Sequence, residues 1–274
     1  MHLRANTVQP PQRTSKTSAA RLLPFVLGVL AAACSSEEGD AKTTTTPTVL
    51  GDGERIRDVG DPAARRAGAK VYISGAQVLA IDTFDETKNG SSAGTIYVQD
   101  PGSAAPYSGI SLYKPAFVPS NLRIAPGDVL DLRGPYVELA KIGGAVFTPP
   151  GVLPQLDRPT ATFRYEATLA APVEIDVNDL NDYTKGRRWL DMLVTVRDVT
   201  LATPPSNDTS NSGRVTAKLI PGGRDVPTLS NELFDVPAGS IPAGTKLQSL
   251  TGIVTWFFSF HIAPRSPDDI VRSP

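Results

Sequence analysis

Cysteine is all but absent: Cys34 is the only one in 274 residues. That count excludes a disulfide within the chain and any metal centre built on several thiolates. Histidine is nearly as scarce, with His2 and His261 alone. Clusters of imidazole ligands are therefore excluded as well, and a Ser-His-Asp arrangement or a histidine general base would have to use His261. Its setting in WFFSFHIAP, mid-strand between aromatic residues, points instead to packing. Aromatic residues are only 7% of the chain, so the core has to be built from Val, Leu and Ile. No Gly-rich loop opens a helix in the manner of a phosphate cradle, and no cofactor is expected. Acidic residues are missing ahead of Glu37, whereas Arg4, Arg13, Lys16 and Arg21 all precede it. Those four bases account for the near balance of 27 basic and 28 acidic residues, and the remainder is acidic. An acidic remainder weighs against a broad phosphate-neutralising surface and leaves room only for a local basic patch.

What is present begins with LLPFVLGVLAAA at 22–33, an apolar run behind a basic segment. As a helix it rises about 18 Å, well short of the roughly 30 Å hydrocarbon core of a bilayer. Residues 1–33 therefore read as a signal peptide and not as a membrane span. The junction LAAAC resembles the lipobox of bacterial lipoproteins, with Ala32 and Ala33 ahead of Cys34 and Ala31 where Leu is most frequent. The resemblance implies cleavage before Cys34 and its acylation, palmitate included, which gives the multiple chains stable membrane anchoring requires. Ser35 in place of Asp implies the outer membrane. The polar stretch SSEEGDAKTTTTPTVLGDGE has neither helical nor strand period, and residues 34–66 are expected to form a flexible tether behind the acylated cysteine. After that polar stretch, RIRDVGDPAARRAGA (55–69) reads as the edge of the first domain or a short helical turn.

From there 25 Pro and 23 Gly punctuate short apolar runs, the pattern of an all-β protein. KVYISGAQVLAID (70–82) reads as a long strand bent at Gly75. TIYVQD (95–100) and YSGISLY (107–113) form a hairpin, GDVLDLRGPYVEL (127–139) alternates about Leu130 and Leu132, and GGAVFT (143–148) closes the half. The second half repeats the theme. WLDMLVTVRDVTLAT (189–203) places Met192, Val194 and Val196 on one face and then switches phase to Val199 and Leu201. RVTAKLI (214–220) alternates, and GTKLQSLTGIVTWFFSFHIAPRS (244–266) supplies the last strands. About five strands per half predict two tandem OB-like five-stranded β-barrels, at 67–155 and 156–274, over an immunoglobulin-like sandwich of seven strands. YVQDP…SGISLY with GDVLDLRGPYVEL, then GRRWLDMLVTVRDVTL with GIVTWFFSFHIAPRSPDDI, resemble the OB-fold domains that accompany secreted and surface-anchored bacterial nucleases. No residues are left over for those proteins' separate catalytic domain.

The candidate polymer-binding segment is YTKGRRWLD (183–191), where Lys185, Arg187 and Arg188 lie between Tyr183 and Trp189. Positive charge beside stackable rings is what single-stranded nucleic acid uses on an OB surface; a charged loop with Trp189 plugging the barrel is the alternative. Tyr97, Tyr107 and Tyr113 fall on the hairpin that would line an OB cleft. DTFDETKNG (82–90) gathers Asp82, Asp85, Glu86 and Asn89, an oxygen-rich loop without EF-hand spacing, read as a solvated turn or a calcium loop. Arg265 is expected to pair with Asp268 or Asp269 and pin the C-terminal segment. The reading that unites these points is a non-enzymatic, membrane-anchored binding or scaffolding module of the bacterial envelope. Its partner is a single-stranded nucleic acid or an envelope protein; the alternatives are a metal-dependent hydrolase related to the nucleases and a purely structural envelope protein.

Overall fold

The computed structural model describes residues 53–86, 88–207, 214–220 and 227–274. The signal peptide, Cys34 and the first part of the tether lie outside the described residues. The first sheet contains β1 (Lys70–Ile81), β2 (Ile96–Gln99), β3 (Gly109–Tyr113), β4 (Ala116–Val118) and β5 (Asp128–Leu139). A separate two-stranded hairpin, β6 (Lys141–Ile142) with β7 (Ala145–Val146), leads to β8 (Leu153–Asp157) and β9 (Thr160–Glu166), which return to the first sheet. The second sheet has β10 (Val173–Glu174), β11 (Leu193–Leu201), β12 (Ser206–Asn207), β13 (Val215–Ile220), β14 (Thr228–Ser230), β15 (Lys246–Phe257), β16 (Ser259–Ala263) and β17 (Ile270–Arg272).

Each sheet closes on itself. The first runs β1-β2-β3-β8-β5 and back to β1; the second runs β11-β13-β14-β16-β15 and back to β11. Among the described residues, the only parallel contacts inside either ring are β3–β8 and β14–β16. Two closed five-stranded barrels with the same strand order bear out the OB-like fold expected from the sequence. Each also carries one further strand along its fourth, β9 beside β5 and β17 beside β15.

Closure depends on strands that bend. Gly75 has φ of 78°, and the β1–β5 register slips there, from Ile73 opposite Leu132 to Ala76 opposite Leu130. This is the bulge the sequence placed at Gly75, and it lets both Ile73 and Ala76 face inward. The Asp131 carboxylate holds it from outside, accepting from the Gly75 backbone N–H at 3.0 Å and the Ser74 hydroxyl at 3.1 Å. In the second barrel the phase change falls at Asp198, φ 51°. Val196 and Val199 both reach the core there, and Leu250 and Leu247 opposite them do the same, so the register survives.

Both barrels are plugged from the segment before their first strand. Helix α1 (Ile56–Gly60) inserts Ile56 and Val59 among Ile73, Val98 and Leu112. Burying two such side chains contributes about 1.5–3 kcal/mol each. Asp100, at the β2–β3 turn, caps the helix by accepting from the backbone N–H of Ile56 and Arg57, at 2.9 and 3.1 Å. In the second barrel, residues 177–189, including α2 (Tyr183–Gly186), supply Leu180 and Trp189.

The order of elements corrects three expectations. The tether does not extend to residue 66: Glu54 bridges to Ile73, and the short helical turn read within 55–69 is α1, part of the core. Residues 143–148 do not close the first barrel; β6–β7 stands apart and Phe147 enters the second barrel's core. Nor does the first sheet stop at 155, because β8 completes the ring and β9 pairs with β5 as far as Glu166.

Candidate functional site

The first barrel alternates strictly across β2, β3 and β8. Ile96, Leu112 and Leu156 form one cross-strand row and point inward; Tyr97, Ser111 and Gln155 form the next row and point out. In a barrel of this order the face of the second and third strands is the usual ligand surface. Here that face is covered by the second barrel. Leu79, Ala80 and Tyr97 meet Leu193 and Ile253 in a small apolar cluster. The Leu193 backbone N–H donates to Gln99 Oε1 at 3.0 Å, and the Tyr107 N–H donates to the Arg188 carbonyl at 2.7 Å. Gly109 allows this approach: a Cβ there would lie 2.5 Å from the Asp191 backbone. The loop after β7 lays Phe147 on Trp256, ring centroids 4.5 Å apart.

The joint encloses a cavity of about 160 Å³. From the first barrel it is lined by Tyr97, Ser111, Tyr113 and Gln155; from the second, by Asp191, Arg214, Glu232, Thr255, Trp256 and His261. Through Tyr113, Leu153, Arg214 and Phe257 it adjoins a larger cleft of about 650 Å³ that runs under the β6–β7 hairpin, past Val137, Leu139 and Ile142.

Acidic side chains gather on this cavity. Glu232 accepts from the Tyr97 hydroxyl at 2.7 Å and from the Thr255 hydroxyl at 2.8 Å. Arg214 donates to Glu86 at 3.1 Å. Asp82 is fully buried, and neither of its oxygens has a hydrogen bond of ordinary geometry. Burial, then the charges of Glu232 and Glu86, push its carboxyl up to about 7, only partly offset by the Phe84 backbone N–H and Arg214. Asp191 is 2% exposed and its Oδ2 has no hydrogen-bond partner. Burial pushes its carboxyl up to about 8 against hydrogen bonds from Ser111, with Glu232 adding to the rise. Burial and the same Glu232 raise the Tyr97 phenol well above its ordinary value, so it stays a hydrogen-bond donor. The imidazole of His261 is buried and its Nδ1 pairs with the Thr228 hydroxyl.

The structure separates the residues expected to bind. Tyr97 and Tyr113 line the cavity, Tyr97 buried and Tyr113 at the rim with 42% of its surface exposed. Tyr107 is half-buried at the joint, outside the cavity. The segment 183–189 is folded into structure. The Tyr183 ring packs on Trp256 and Phe260 and its hydroxyl donates to the Val152 carbonyl. Arg187 is buried and donates to Glu138 of the first barrel. Trp189 is buried, donating to Asp179 at 2.9 Å, as the plugging alternative had it. Lys185 is exposed, and Arg188, half-buried, lies over the Trp189 ring at 5.2 Å.

The acidic loop divides. Asp82 and Glu86 turn into the joint, while Asp85 turns out and accepts from the backbone of Asn89 and Gly90. Among the described residues no group of three or more His, Cys, Asp or Glu is arranged to hold a metal ion. Asp269 is the partner of Arg265, which donates to both of its oxygens at 3.0 Å.

Asp191, Arg214, Glu232 and Thr255 were missed by sequence reasoning. A usable signal existed for two of them: Asp191 and Glu232 are single acids next to apolar residues, in WLDML and NELF. A lone charge there has to be exposed or specifically used. Compared with family models, with curated proteins and with solved structures, the chain has no match.

Proposed function

We propose that this protein is a non-enzymatic binding module of the bacterial envelope, held at the outer membrane by an acylated Cys34, and that it takes its ligand in the cavity and cleft between its two barrels. One observation carries the reading: both barrels contribute polar and aromatic side chains to a single cavity on the first barrel's second- and third-strand face. Tyr113 and Phe257 at the opening, and Gln155 and Thr255 within, are the mixture of apolar wall and few polar groups that ligand sites use. Single-stranded nucleic acid is the less favoured ligand, because Arg187, Tyr183 and Trp189 are committed to internal contacts.

A photo-crosslinking phenylalanine placed at position 113 of the full chain, in intact bacterial cells, tests the site. A saturable adduct is expected from position 113 and none from exposed Ile220 on the second barrel. Equal labelling from both positions, or none from 113, overturns the reading. The anchor has its own test: palmitate incorporation is expected in the full chain and lost on Cys34→Ala, and labelling that survives the change refutes it.

A further inference from the structure

The cavity at the joint is short of positive charge. Asp191 and Glu232 line it, and Asp82 and Glu86 stand behind them, coupled to Glu232 and Arg214. Arg214 is the only Lys or Arg in the lining among the described residues, and its guanidinium already donates to Glu86. Glu232 has both oxygens occupied by hydroxyl donors. Asp191 does not: it is buried, and its Oδ2 has no partner in the protein. A buried polar atom without any partner is costly, and such groups in folded proteins call for an explanation.

The remaining lining indicates what would satisfy it. Ser111 already donates to the Asp191 carboxyl, and Glu232 in the same lining is a second carboxylate with Gln155 and Thr255 beside it; an ammonium group carries three donors and no acceptor. Beyond the rim the walls turn mainly apolar, with Leu139, Ile142, Leu153 and Phe257 along the larger cleft and Lys141, Asp157 and Arg158 also on its lining. An acidic end that opens into a mainly apolar cleft fits a cationic head on an apolar stem.

We propose that this cavity recognises a primary ammonium group carried on an apolar stem, with Asp191 as its counter-ion and the stem lying in the cleft under the β6–β7 hairpin. The inference rests on the proposed binding role of the cavity and names its ligand chemistry. Neutral at pH 7 in the empty protein, the Asp191 carboxyl gives up its proton when the cation arrives, because an adjacent positive charge favours the ionised form. Binding therefore releases a proton and tightens as pH rises towards 8.

The test is calorimetric titration of the full chain in detergent with n-hexylamine and, as the neutral counterpart, n-hexanol. The amine is expected to saturate one site per chain and bind at least tenfold tighter than the alcohol. Its affinity should rise nearly tenfold from pH 6 to pH 7, with proton release read from the buffer dependence of the heat. Asp191→Asn, which keeps the shape and tolerates the φ of 60° at this position, should abolish both the preference and the proton release. If that variant does not fold, the pH dependence and buffer heats of the unaltered protein decide alone. Equal affinity for amine and alcohol, or an amine affinity independent of pH, overturns the ammonium assignment while leaving a binding cleft in place. Absence of binding by either probe also overturns it, and the cross-link from position 113 judges the cleft separately.

Discussion

Asp82 makes stability depend on pH in a direction opposite to that of a salt-bridged carboxylate. Its side chain is wholly buried at the joint, facing Glu86 and Glu232 with Arg214 and the Phe84 N–H as the only offsetting groups, and its carboxyl is raised from 3.8 to about 7. A folded-state pKa above the unfolded value means that the folded protein holds a proton the unfolded chain has released. The stabilisation is complete below pH 3.8 and is lost as pH rises through 7. Between pH 5 and pH 8, at 1.36 kcal/mol per unit, this one group should remove roughly 2.5 kcal/mol of unfolding free energy. For a folded unit of this size that is a fall of roughly 5–10 °C in Tm. Asp82→Asn isolates the effect, because the amide mimics the protonated acid and does not titrate. Urea unfolding at pH 5, 6, 7 and 8 should show the variant's profile flatter than that of the unaltered chain by about that 2.5 kcal/mol, whatever constant offset the amide brings. Parallel profiles, or stability of the unaltered chain that rises from pH 5 to pH 8, would refute the reasoning.

Other perturbations probe the joint and the plugs. Arg187→Met leaves Glu138 without its cationic partner, with only the Tyr136 hydroxyl still donating to it, and is expected to cost about 2–4 kcal/mol, most of it recovered in the Arg187→Met/Glu138→Leu double variant; an uncoupled cycle contradicts the clamp. Gly109→Ala puts a methyl group into the Asp191 backbone and should cost about 1–3 kcal/mol, with faster hydrogen exchange at the Leu193 amide; unchanged exchange there would mean the barrels do not meet as described. Ile56→Ala is expected to destabilise by about 2–5 kcal/mol in denaturant unfolding, and a value below about 1 would remove α1 from the core.

Much of the fold was legible because barrel strands announce themselves by period. Ile96 and Val98 alternate with Tyr97 and Gln99, Gly75 marks the bend, and the switch from Val196 to Val199 marks the second barrel's curl. Strand β9 was harder to place. TATFRYE alternates well enough, but a strand's own pattern does not say which sheet edge it joins, and pairing with β5 is decided by tertiary packing. The site was barely legible. Its residues are scattered from Thr95 to His261 and come together only when two barrels dock, so no local spacing records them. The segment around Arg187 misled for the same reason. Its basic residues look available in sequence, and Glu138, which takes the guanidinium, lies on the other barrel.

The mixed character of the joint bears on how the chain can be synthesised. The first barrel has all its ring strands once Asp157 has been made, before any strand of the second barrel exists. During that interval the face later covered by the second barrel is in water. An apolar face would be an invitation to aggregate in a half-made chain. The outward row is instead Tyr97, Ser111 and Gln155 with Gln99 beside it, side chains that water can serve, and the apolar contribution from this barrel is little more than Leu79 and Ala80. A chain that folds from its N-terminus can thus complete the first barrel while its joint face still meets water, with little beyond Leu79 and Ala80 there to hide.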